Sequence, residues 1–225
     1  NALTVQNFTT ATDTFNVAVG DRAGSAVTTG TGNTLVGGLS GDALTTGHSN
    51  VAIGRNALST EDTGRKNTAV GFAALELQNS DVDNLNTAVG FYAGGEVTTA
   101  IAGTFIGNQA GQNVTTGNTN TFIGASAGIS NASNKLTGAN NTAVGQGALQ
   151  DIEGAGNGNT CIGRDSGTDI TTGVSNVLLG YASQVSSATV TAEITIGPGV
   201  TGSGGSTVTI GSGAGKISNT FTSNA

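Results

Sequence analysis

Polar, apolar and glycine positions recur along this chain in a fixed five-residue order. An Asn comes first, then Thr or Val, an apolar residue, a branched aliphatic, and Gly. The pattern begins at Asn16 (NVAVG), Asn33 (NTLVG), Asn50 (NVAIG), Asn67 (NTAVG) and Asn86 (NTAVG). It continues at Gly103 (GTFIG), Asn120 (NTFIG), Asn141 (NTAVG), Asn159 (NTCIG), Asn176 (NVLLG) and Glu193 (EITIG). Successive starts are 17, 17, 17, 19, 17, 17, 21, 18, 17 and 17 residues apart, and a degenerate copy, Thr207–Gly211, follows at a shorter step. A near-constant period of this length marks a stack of repeated coils in which each coil covers its neighbours.

Within each copy, the alternation predicts a short strand whose two faces are both apolar. The fourth position holds Val19, Val36, Ile53, Val70, Val89, Ile106, Ile123, Val144, Ile162, Leu179 and Ile196. With the Thr or Val two residues earlier, these aliphatics are expected to fill the narrow interior of the coil. The third position holds Ala18, Leu35, Ala52, Ala69, Ala88, Phe105, Phe122, Ala143, Cys161 and Leu178. It is then expected to face outward, and so long an apolar stripe needs cover. Packing of three chains about a common axis lined by this column would supply it.

The fifth position is Gly in all eleven copies: Gly20, Gly37, Gly54, Gly71, Gly90, Gly107, Gly124, Gly145, Gly163, Gly180 and Gly197. Such a column implies either a left-handed turn or a close backbone approach. Three residues on, the site is small, from Ala23 and Ser40 to Ser166 and Ser183. A second short strand is expected around Val27, Leu44, Val97, Val114, Ile152 and Ile170, closed by T-T-G turns at Thr28–Gly30, Thr45–Gly47, Thr115–Gly117 and Thr171–Gly173. In those turns Gly would supply a left-handed conformation.

The predicted architecture is an all-β parallel β-solenoid, a β-roll of about eleven 17-residue coils assembled as a homotrimer. Residues 1–15 read as an N-terminal cap or joint, 16–201 as the repeat domain, and 202–225 as a Gly/Ser-rich C-terminal cap or joint. Residues Gln78–Leu85, Asn131–Asn140 and Asp151–Gly158 carry insertions, which in solenoids map to surface loops.

Composition fits a thin core, with 38 Gly, seven Phe, two Tyr and no Trp or Met in 225 residues. The net charge is −7 and no Lys/Arg cluster occurs, which argues against a nucleic-acid partner. No run of 18 apolar residues occurs, so membrane insertion is not expected either. The chain begins at Asn1 and shows no signal peptide, so we expect a processed product or a piece of a longer chain.

Candidate chemistry is sparse. His48 sits in a turn with no partner at metal-ligand spacing. Cys161 takes a position otherwise held by Ala, Leu or Phe and reads as a small buried hydrophobe. Glu61, Asp62, Asp81 and Asp83 fall at turn positions. Paired carboxylates can hydrolyse glycosides, but these read as solvated turn charges. No phosphate loop and no G-G-x-G-x-D calcium repeat is present. Neither cofactor nor metal nor catalytic activity is expected.

The units N-T-A-V-G-F-A-A-L at Asn67–Leu75 and N-T-A-V-G-Q-G-A-L at Asn141–Leu149 resemble the repeats of trimeric fibre proteins, as do T-T-G-x-x-N joints such as Thr171–Asn176. Such repeats occur in bacteriophage tail fibres and in the β-roll heads of trimeric autotransporter adhesins. The tail Gly211–Ala225 is similar to the segment preceding a self-cleaving trimerisation chaperone in phage fibres. The resemblance covers about residues 14–211. It implies three chains around one axis, location on a virion or an extracellular cell surface, and attachment to a host glycan or protein receptor. Neighbouring fibre or virion segments would be further partners. Gly103 and Glu193 depart from the Asn of the motif, and the 17-residue step is longer than in adhesin heads, which favours the phage side. Two other classes stay open: an ice-binding solenoid resting on the Thr columns, which the insertions would spoil, and a polysaccharide-degrading fibre enzyme.

Overall fold

Each five-residue copy places its second to fourth residues in a three-residue strand of one continuous sheet. These are β1 (Val17–Val19), β2 (Thr34–Val36), β3 (Val51–Ile53), β4 (Thr68–Val70), β5 (Thr87–Val89) and β6 (Thr104–Ile106). They continue as β7 (Thr121–Ile123), β8 (Thr142–Val144), β9 (Thr160–Ile162), β10 (Val177–Leu179) and β11 (Ile194–Ile196), followed by β12 (Thr207–Ser212) and β13 (Gly215–Thr220). The computed structural model describes residues 1–3, 13–130, 132–213 and 215–220. Strand order follows chain order through all thirteen strands, so the chain is a parallel β-solenoid with one coil per repeat. At the usual strand spacing the eleven coils span roughly 50 Å.

Register holds across every insertion. Thr68 pairs with Thr87 across the 19-residue step, and Thr121 pairs with Thr142 across the 21-residue step. The extra residues therefore bulge elsewhere on the coil. The degenerate copy is a true continuation, because Ile194, Thr195 and Ile196 pair in parallel with Val208, Thr209 and Ile210. The sheet thus runs past residue 201, and β13 then closes it by pairing antiparallel to β12. Of the expected N-terminal cap, Leu3 donates its N–H to Ala23 O at 3.1 Å, while residues 4–12 lie outside the described set.

The two faces of the strand are the reverse of the sequence expectation. From Leu35 to Leu178 the third-position residues are fully buried inside the single chain, and Ala18 is partly buried at the open end. The second and fourth positions point outward. Leu35, Ala52, Ala69, Ala88, Phe105, Phe122, Ala143, Cys161 and Leu178 therefore cannot line an axis between chains. The interior has room for bulk only where the facing residue is small. Position nine is Leu58, Leu75 and Leu149 where position three is Ala52, Ala69 and Ala143. It is Gly41, Gly111, Gly128 and Gly167 where position three is Leu35, Phe105, Phe122 and Cys161. A Cβ added at Gly41 would lie 2.8 Å from Leu35 Cδ2, and one at Gly128 would land on the Phe122 ring. Close packing enforces this trade.

The expected second strand does not form. Val27, Leu44, Val97, Val114, Ile152 and Ile170 are buried as expected, but pairing there is reduced to isolated bridges such as Val114 with Leu136 and to bonds such as Thr28 N–H to Thr45 O, 2.9 Å. The T-T-G glycines are not left-handed either. A Cβ at Gly30 would collide with the Gly47 carbonyl, so Gly is there for space, and the left-handed residue comes two later, as at Gly32 and Ser49.

Inside the coil the Asn column forms a ladder. Asn33 Oδ1 accepts the backbone N–H of Asn50 at 3.0 Å, and Asn33 Nδ2 donates to Gly47 O at 2.9 Å. Asn141 does the same toward Asn159 N–H, 3.0 Å, and Gly156 O, 2.9 Å. These bonds satisfy backbone groups at the coil corner that burial would otherwise leave unpaired. Gly103 departs from the pattern because a Cβ there would sit 2.6 Å from Phe105 Cε2. Glu193 replaces Asn near the last coil and accepts from Ser186 N–H at 2.8 Å and Gly204 N–H at 2.7 Å.

Candidate functional site: the outward strand face

The outward face is a grid of two columns. Its second-position column runs Val17, Thr34, Val51, Thr68, Thr87, Thr104, Thr121, Thr142, Thr160, Val177, Ile194, and beside it runs the aliphatic fourth column. In-register pairing stacks like on like along the rod. The aliphatic side chains are open to solvent on the single chain: Val19 is 59% exposed, Ile106 37% and Leu179 46%. Over the length of the rod such a face amounts to roughly 500 Å², at the upper end of the largest apolar patches that single-chain proteins expose, which are often functional.

Gly71 and Gly90 show why the strand ends where it does. Both have φ near +140° (136° and 143°), and a Cβ at Gly71 would collide with the Gly90 carbonyl of the next coil. The two readings of the Gly column, left-handed turn and close approach, hold together. After this turn the sixth position emerges beside the strand face. Phe72 and Phe91 stack there, with ring centroids 5.4 Å apart and planes 17° apart, and Tyr92 meets Phe91 edge-on at 4.7 Å. The Arg55 guanidinium lies 5.9 Å from the Phe72 centroid, and Arg164 lies over Tyr181 at 5.4 Å. Arginine–aromatic contacts of this kind are weakly stabilising at exposed sites.

The four acidic residues do not form a pair of solvated carboxylates. Glu61 is fully buried, contrary to the sequence expectation, because it takes the twelfth position of its coil, where Leu44 and Val97 stand in others. Its carboxylate accepts from Gly64 N–H at 2.7 Å, Ser80 N–H at 3.3 Å and Gln78 Nε2 at 3.0 Å. Gln78 occupies the same core position one coil on, and its Oε1 accepts from Asn86 Nδ2 at 2.8 Å. Burial raises the Glu61 pKa above the ordinary carboxylate range, the bond from Gln78 opposes that rise, and neighbouring Asp62 adds to it. Asp83 is held below the usual range by the hydrogen bond from Lys66. Asp81 accepts from Thr63 Oγ1 at 2.6 Å on the surface. Asp62 is half-buried beside Glu61.

His48 is half-buried and its Nδ1 lies 3.3 Å from Ser49 Oγ. Among the described residues no group of three or more His, Cys, Asp or Glu could hold a metal ion, and no pocket opens. Burial pushes the Cys161 thiol up to about 12, so it stays protonated. The insertions fold back on the coil: Lys135 pairs with Glu96 at 3.1 Å, and Asp83 pairs with Lys66 and Arg65. Asn131 lies outside the described residues. Sequence reasoning missed the outward Thr/aliphatic grid, the aromatic ladder beside it and the Glu61–Gln78 pair. Each was signalled by position within the coil rather than by residue type. No helix of the described residues is long and apolar enough to cross a membrane.

No protein-family model matches the chain, and comparison with curated proteins and with solved structures gives no match either.

Proposed function

We propose that the chain is a non-enzymatic module of a homotrimeric fibre, of the bacteriophage tail-fibre kind, that attaches to a host cell surface. The observation that supports this is the outward strand face. An exposed apolar column eleven coils long is a liability on a lone rod, and a cyclic assembly covers it. The axis is then lined by the second and fourth columns, not the third. Low charge density along the face suits dry packing between like surfaces. A bacterial surface adhesin head of the trimeric autotransporter type is the nearest alternative biology and uses the same assembly. The experiment is the mass of the native particle in solution, with Ile106→Glu and Ile123→Glu as partners to the wild type. Three times the 21.8 kDa chain mass is expected for the wild type, and smaller species are expected for the variants, since each buries an unpaired carboxylate. A compact single-chain particle at all concentrations overturns the reading.

One observation favours a second reading. The insertions leave the grid unbroken, so six successive threonines, Thr68 to Thr160, stand in register beside aliphatics. A regular surface of this sort is what an ice-binding solenoid uses. It requires the face to be free, so a monomer that slows ice growth would support it in place of the trimer.

A further inference from the structure

The two flanks of the strand face differ from coil to coil, and one coil stands apart. One flank is the residue just before the Asn, and the other is the residue just after the fifth-position Gly. Most coils carry polar or small residues on at least one flank, as with Lys66, Thr119 and Asn140 on the first, and Asn108 and Gln146 on the second. Phe15, before Asn16, is answered by Asp21, and Tyr181 by Ser175. Only the fifth coil has a large apolar side chain on both flanks. Leu85 is 53% exposed on the first, and Phe91 is 47% exposed on the second, braced by Phe72 and Tyr92. Val82, on the insertion that leads into Leu85, is also exposed.

A three-fold axis along the rod carries no translation, so the fifth coils of all three chains lie at one height. The first flank of one chain then meets the second flank of the next. We infer that Leu85 and Val82 of each chain pack against Phe91 and Tyr92 of its neighbour, forming an apolar clasp that fixes the axial register of the assembly. This rests on the trimeric reading. The remaining grid repeats at every coil, so sliding one chain by a coil step of roughly 4.8 Å replaces Thr by Thr and Val by Ile. The full Phe91–Tyr92 pair occurs once along the rod and removes that degeneracy, because a one-coil slide sets Leu85 and Val82 against Asn108 and Gln109, or against Phe72 with Ala73 in place of Tyr92.

The test is the double variant Leu85→Cys, Phe91→Cys, oxidised in the native state. Within one chain these positions lie at opposite ends of an extended segment, on the order of 15 Å apart, beyond the 7 Å or so that a disulfide spans. The native Cys161 is enclosed in the core and does not compete. Native mass and a non-reducing denaturing gel are read on the same sample. A three-chain native mass with covalent trimer on the gel is expected, with no covalent trimer from either single variant. A short bis-maleimide in place of oxidation relaxes the geometric demand of the disulfide, and the same ladder is expected. A three-chain native mass with no cross-link by either route overturns the clasp while leaving the trimer standing. Cross-linking of Leu85→Cys with Arg164→Cys as readily as with Phe91→Cys also overturns it, because the register is then not fixed. A single-chain native mass removes the trimeric reading and the clasp together.

Discussion

Gly71 and Thr68 stand three residues apart on one strand edge and answer to different constraints. Gly71 needs its positive φ and has the next coil's carbonyl where a Cβ would go. Gly71→Val should cost at least about 1–3 kcal/mol in strain. Thr68→Val should fall within about 0.5 kcal/mol of wild type, since Val51 and Val177 already hold that outward position. Thermal melts of the two variants at equal concentration check this, and coincident melts would refute the constrained turn. Glu61 makes a separate prediction about pH. Its folded-state pKa lies above that of an exposed glutamate, so the folded chain holds the proton more tightly than the unfolded one. Stability from this group is therefore full below the ordinary glutamate value and is lost as pH rises through the raised one. Asp42 and Asp151 are shifted the same way by burial, whereas Asp83 is shifted the opposite way by its bond from Lys66. Glu61→Gln should flatten the fall in melting temperature across that window, while losing the bond from Gln78 Nε2, since an amide NH₂ cannot accept it. A variant whose pH profile superimposes on the wild type would show that Glu61 does not titrate with unfolding.

At the scale of the coil, the period was legible because a strict 17-residue recurrence has few physical explanations, and the insertions were visible as breaks in it. Which face of the strand turns inward was not legible from alternation. Threonine with valine on one side and alanine with phenylalanine on the other are both apolar enough to be buried. The deciding signal lay six residues away, in the exchange of bulk between positions three and nine seen in seven coils, because enclosed columns compete for the same space. Ala18 and Ala88, which face Gly24 and Gly94, and Leu178, which faces Gln184, stand outside it. Glu61 escaped for a related reason. Next to Asp62 it looks like a turn charge, but counted from Asn50 it falls in register with Leu44 and Val97. The exchange of bulk makes its own prediction. Phe122→Ala should lose about 3–5 kcal/mol by opening a cavity. Adding Gly128→Leu should restore part of that loss, because Leu58, Leu75 and Leu149 already take the left-handed conformation of that site. Denaturant melts of the single and double variants measure the coupling, and additive losses would refute it.

Along the strand sheet each coil pairs only with its neighbours, and the Lys135–Glu96 ion pair is a longer tie that reaches across the coil begun at Gly103, so the strength of the rod is set largely link by link. Nine first-position asparagines accept a hydrogen bond at Oδ1 from the first-position N–H of the next coil. Asn86 Oδ1 accepts from Gly103 N–H at 2.7 Å, but Gly103 has no side chain to accept from Asn120 N–H. At that height the β6–β7 pairing continues, and the side-chain join inside the coil is made by Phe105 and Phe122, whose ring centroids are 6.0 Å apart. The Asn ladder is therefore interrupted once and spliced by an aromatic contact beside the unbroken β6–β7 bonds. Native-state hydrogen exchange should read this directly: the Asn120 amide is expected to exchange faster than those of Asn50, Asn67 and Asn141, and equal protection at all four would refute the splice. If the splice opens first, the molecule comes apart as an N-terminal and a C-terminal block rather than fraying from its ends, and a protease would cut it near the middle.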